Sequence, residues 1–170
     1  MQEIPKVIED LALGAFRLVK EKLQIDLDFT AETLPLLDHY LLNLAGEDGR
    51  LDEKIVGVVG PCAGAYFGEV ARRTLPELQW QLPDDTESYA DWRIEGVRAP
   101  LSFNPIGVAL EAIHGEALAE WNAHLSLPAA ERAAVDQALA QAGGVREDDF
   151  FRLAVRHEVL EQALAVLART

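Results

Sequence analysis

Residues 57–73 carry Gly57, Gly60, Gly64 and Gly68 at steps of three and four, in a stretch almost wholly small or apolar that closes on Glu69, Arg72 and Arg73. Read as a helix, these glycines and Ala71 share one face. Each glycine inside a helix costs about 1 kcal/mol relative to alanine. Four on one face therefore predict that another backbone comes close. The other side carries Cys62, Tyr66, Glu69 and Arg73 at steps of four, three and four, with Arg72 beside them, so these polar side chains form a stripe. The segment also admits a second reading, in which residues 55–59 are a strand and Pro61 opens a new helix. Pro61 is expected to kink or divide the helix.

The rest of the chain supplies a predominantly helical α+β pattern. Apolar residues at helical spacing predict helices over residues 4–24, 30–45, 52–74, 105–114, 128–142 and 147–168, with a short helix within 116–124. Thr30 or Thr33 and Asp52 stand as N-caps. Asn104-Pro105 has the cap-then-proline order of a helix start. Glu147, Asp148 and Asp149 would lie where the helix dipole favours acid, and Pro76 would close the glycine helix.

Between residues 78 and 103 the period changes to two. Leu78, Trp80, Leu82, Trp92, Ile94, Leu101 and Phe103 alternate with polar residues and predict a three-stranded antiparallel meander over 78–82, 90–95 and 98–103. Pro100 predicts an edge or an interruption in the third strand. The outward face would carry Gln79, Gln81, Arg93 and Glu95, either as solvated surface or as a polar docking surface. One domain over residues 1–170 is expected, with a core at 25–115 and a helical extension at 116–170.

Charge narrows the classes of partner. The 170 residues include 15 Lys plus Arg and 29 Asp plus Glu, a formal net charge of −14. That excess opposes phosphate backbones and anionic membranes, so neither nucleic acid nor membrane is an expected partner. A basic protein partner fits it, and self-association stays open. The uncharged run 55–68 is too short to span a bilayer. No basic-then-apolar leader is seen at the start, and a cytoplasmic location is expected.

Motifs for chemistry are sparse. Cys62 is the only cysteine, which excludes an internal disulfide or a cysteine zinc cluster. As a nucleophile it would need the first turn of a helix and a base from His39, His114, His124 or His157. As a free cysteine it reads first as a small buried apolar residue. Glu111 and His114 have Glu-x-x-His spacing, but a di-iron site needs a second copy, and no metal site is expected. Neither phosphate-binding glycine fingerprint is met, and no cofactor is expected. His157 on an apolar stripe reads as a hydrogen-bonded histidine at the edge of the core, and Trp80 and Trp92 read as core. Glu69 is expected to pair with Arg72 or Arg73, or to accept from the Trp80 strand.

The run Asp28-Phe-Thr-Ala-Glu-Thr-Leu34 with Leu37-Asp38, then Gly64-Ala-Tyr66-Phe-Gly68-Glu69 with Arg72-Arg73, then Trp80, resembles an uncharacterised family of small bacterial domains. That family pairs a G-x-Y-x-G-E-x-x-x-R helix with a tryptophan strand. The resemblance covers roughly residues 25–82, with residues 103–107 as a weaker continuation, and implies a bacterial helix-plus-small-sheet domain without an assigned activity. Function reads first as a non-enzymatic interaction module. The alternative is a small-molecule-binding protein or enzyme with its site at Cys62, Tyr66, Glu69, Arg72 and Arg73.

Overall fold

The glycine helix organises the fold. In the computed structural model, which describes residues 3–75 and 77–169, α3 runs unbroken over Glu53–Thr74. Asp52 caps it by accepting the Lys54 N–H at 2.9 Å, and Arg72 and Arg73 occupy its last turn, where the dipole favours cations. Residues 55–59 are therefore helix, and Pro61 neither splits α3 nor starts a new element. The bond that Pro61 cannot make is the one to the Gly57 carbonyl. Gly57 is exposed, with open space around it, so water can satisfy that carbonyl. Every residue from Val59 to Ala71 is buried, as expected of a helix surrounded on all sides. Pro76 lies outside the described residues.

Three of the four glycines explain how neighbours close on α3. A Cβ on Gly60 would sit 2.6 Å from Leu110 Cδ2, one on Gly64 would collide with the Ile106 backbone, and one on Gly68 would run into the Trp80 indole. The α4 helix (Pro105–His114) thus crosses at Gly60 and Gly64, and the sheet lies over Gly68. Gly57 faces nothing within 4 Å and takes no part in the close approach. We expect Gly64→Leu to lower stability by about 3 kcal/mol or more, because the obstacle is backbone. Gly57→Ala should be neutral or gain up to about 1 kcal/mol. Denaturant titration of both variants checks this; equal stabilities would refute the packing assignment.

On α3 packs α1 (Lys6–Leu23), while α2 (Leu34–Leu42) and α6 (Leu153–Leu167) pack on each other. The α5 helix (Ala129–Gln141) buries Val135 and packs on α6. Strands β1 (Leu78–Gln81), β2 (Arg93–Gly96) and β3 (Ser102–Phe103) form the expected antiparallel meander in the order β1-β2-β3. Its register pairs Trp80 with Ile94 and Ile94 with Phe103, so one apolar face covers α3. The fold is α+β and predominantly helical. Among the described residues no helix is long and apolar enough to cross a membrane.

Several element ends differ from expectation. Thr30 caps nothing: its hydroxyl donates to Asp28 Oδ1 at 2.6 Å, and a 3-10 turn at Ala31–Thr33 precedes α2. That helix stops at Leu42, short of residue 45. β2 starts only after a 3-10 turn at Tyr89–Asp91, and β3 starts beyond Pro100. Residues 116–124 contribute a single 3-10 turn, Ala119–Trp121. The acids at Glu147–Asp149 form another 3-10 turn instead of the first turn of α6. The start of α6 is fixed from outside. Asp38 of α2 accepts the N–H groups of Leu153 at 2.6 Å and Ala154 at 3.0 Å, acting as a cap from 115 residues away.

Candidate functional site

The polar stripe of α3 is brought together as its spacing implies, and it is filled by protein. Glu69 is fully buried. Arg72 donates to it through Nε at 2.8 Å and Nη2 at 3.0 Å. Arg73 Nε adds a bond at 3.1 Å, and the Trp80 indole N–H adds another at 2.8 Å. Burial pushes the Glu69 carboxyl upward, but the bonds from Arg72, Trp80 and Arg73 and the Arg72 charge outweigh it and hold the group below its ordinary value. The guanidinium of Arg72 is itself almost wholly buried, so the pair is an internal one.

Tyr66 belongs to a chain of hydrogen bonds. The Thr33 hydroxyl donates to the Thr30 carbonyl at 2.8 Å. Its single proton is then used, so at the 2.7 Å contact the Tyr66 O–H donates to Thr33. The Tyr66 oxygen in turn accepts the Phe29 N–H at 2.9 Å. Phe29 has φ of 62°, a left-handed conformation uncommon for a bulky residue. Its ring is held between Tyr66, with centroids 4.8 Å apart, and the Arg73 guanidinium, 4.0 Å from its centroid. The stripe therefore anchors the strained connection between α1 and α2.

Cys62 lies well inside α3, away from the amides of the first turn, and its sulfur faces Gly14 of α1. Burial pushes its thiol above the ordinary value, which favours the neutral form. Glu111 and His114 diverge. Glu111 is buried, whereas His114 is exposed. Among the described residues no three His, Cys, Asp or Glu side chains group as metal ligands.

The remaining buried charges hold α6 in place. Arg156 donates through Nη1 to Glu111 at 2.9 Å and through Nη2 to the Ala123 carbonyl at 2.9 Å. Glu111 also accepts the Leu118 N–H at 2.9 Å. His157 is buried, and its Nε2 lies 2.8 Å from the Thr74 hydroxyl. Thr74 spends its proton on the Val70 carbonyl at 2.7 Å, so His157 is the donor, neutral and protonated at Nε2. Burial holds its pKa below the ordinary value, against the charges of Glu161 and Glu158. Trp80 and Trp92 are core residues, packed edge to face with centroids 5.9 Å apart.

The outward sheet face is less fully used. Ser126 exchanges backbone hydrogen bonds with Ser102 at 3.1 and 2.7 Å, and the Asn104 N–H donates to the Asn122 carbonyl at 3.1 Å. Residues 122–126 thereby run antiparallel beside β3. Ala123 and Leu125 turn inward to an apolar cavity of about 30 Å³ beside Phe67 and Phe103. Asn122, His124 and Ser126 turn outward and, with Arg93, Ser102 and Phe103, line a largely polar cavity of about 130 Å³. Sequence reading gave Arg93 to this face but missed the added segment. The alternation of polar and apolar residues from Asn122 to Ser126 was the available signal. No family model, curated protein or solved structure matches the chain.

Proposed function

We propose that this chain is a non-enzymatic binding domain whose acidic surface takes a basic protein partner. The observation that carries the reading is the internal use of the stripe. Glu69, Tyr66 and Arg72 spend their polar atoms on one another and on the neighbouring elements, and the Cys62 thiol is buried and held neutral. A nucleophile or general acid has to reach a substrate, and these groups are directed at protein. The net charge of −14 favours encounter with a positively charged surface and repels phosphate backbones. The exposed acids Asp84, Asp85 and Glu87 between β1 and β2 belong to that surface.

Affinity purification from the native host, followed by reconstitution of the captured protein with the purified chain, tests the reading. The expected partner has a net positive charge and binds less tightly as salt rises. Recovery of a tightly held metabolite, with no protein that reconstitutes, would overturn it.

A further inference from the structure

We propose that Arg93, Ser102, Asn122, His124 and Ser126 form a binding site for a small oxyanion of the phosphate or carboxylate type. This goes beyond the protein-partner reading and uses a different face. Arg93 opens β2, and because Trp92 and Ile94 point into the core its side chain projects from the outer face. Its Nη1 donates to the Ala90 carbonyl at 2.8 Å and to the Trp92 carbonyl at 2.7 Å. Those two bonds fix the guanidinium plane. Nε and Nη2 are left without an acceptor, and no carboxylate lies within ion-pair distance, among the described residues. In a chain with 29 acidic and 15 basic side chains, a half-buried arginine held in this way is unlike Arg72, Arg73 and Arg156, which each meet a glutamate. Glu95 shares the outer face as the cross-strand partner of Ser102 and lines the adjoining groove, which Ser102 and Ser126 also border, so a carboxylate stands at one edge of the site.

The walls match this cation in chemistry. The backbone pairing of Ser102 with Ser126 sets the two serine side chains on the same face, and Asn122 and His124 add an amide and a ring N–H. Five of the six lining residues carry side-chain hydrogen-bond donors, the sixth is Phe103, and none is acidic. The cavity volume of about 130 Å³ is well above the roughly 10–15 Å³ that one water needs, so it accommodates a small ion or the terminal group of a larger molecule. A planar fork of N–H groups with flanking hydroxyls is the arrangement that recognises carboxylate and phosphate oxygens.

Titration of the intact chain with inorganic phosphate, methyl phosphate and acetate, read by nuclear magnetic resonance at Arg93 Nε and the His124 ring with sodium chloride as the ionic-strength control, tests the assignment. We expect saturable shifts at both groups. Tighter binding of methyl phosphate than of the free ion would mark a phosphorylated ligand, and preference for acetate a carboxylate. Arg93→Gln should weaken binding more than about tenfold, a difference of about 1.4 kcal/mol. That change also removes the bonds to Ala90 and Trp92, so His124→Ala, at an exposed position, serves as the second variant. It should weaken binding while leaving the melting curve unchanged. Shifts that chloride reproduces, that fail to saturate with every anion, or that persist undiminished in both variants would overturn the site.

Discussion

Glu69→Ala should reduce folding stability by about 3–5 kcal/mol, the range for removing one partner of a buried ion pair. The variant strands the Arg72 guanidinium, almost wholly buried, and the Trp80 indole N–H, which now reaches Glu69 at 2.8 Å. Arg73 suffers less, because it is partly exposed and retains the Phe29 ring. Total stabilities of domains this size are about 5–15 kcal/mol, so the change is measurable by urea unfolding and leaves a fraction folded. The pH dependence adds a second readout. The folded pKa of Glu69 is depressed below 4.5. Its contribution is therefore complete above that value and is lost as pH falls through the folded value. The gap between the parent and Glu69→Ala should narrow below pH 4.5. A variant as stable as the parent at neutral pH would mean that Glu69 is held for a ligand, and the filled-stripe reading would fall.

Arg156→Ala should cost a similar amount, about 3–5 kcal/mol. It leaves Glu111 buried with the Leu118 N–H and no counter-charge. It also frees the Ala123 carbonyl. Replacing both partners, as in Glu111→Leu with Arg156→Met, should recover most of the loss, since well-packed apolar residues often match or exceed a buried ion pair in stability. Unfolding of the two single variants and the double variant forms the cycle. Additive losses in the double variant would show that the two charges do not depend on each other.

What the sequence disclosed was local. Asn104 and Pro105 specify the start of α4 within three residues, and Asn104 indeed accepts the Ile106 N–H at 3.0 Å. Glu69 and its arginines lie three and four residues apart, so helical geometry alone brings them together. The apolar alternation gave the meander and its buried face. Features set by distant residues stayed hidden. The acids at Glu147–Asp149 look like a helix start, yet Asp38 fixes the start of α6 six residues later. Pro61 does not break α3, because the carbonyl it leaves without a partner, that of Gly57, faces open space. Tyr66 was visible as a member of the stripe, but its link to Thr33 and Phe29 depends on how α2 enters. His124 and Ser126 reach Arg93 only because residues 122–126 pair with β3.

The anchoring of α6 bears on how the chain matures during synthesis. Asp38 waits for N–H groups 115 residues downstream, and Glu111 waits 45 residues for Arg156. At about 5–20 residues per second, the first interval lasts on the order of ten seconds. Until then both carboxylates lack those partners and are hydrated instead. The contacts of Asp38 and Glu111 with α6 can form only after residues 153–157 have left the ribosome. Translational stalling before α6 would release a chain in which Asp38 and Glu111 lack the groups that hold them in the finished fold.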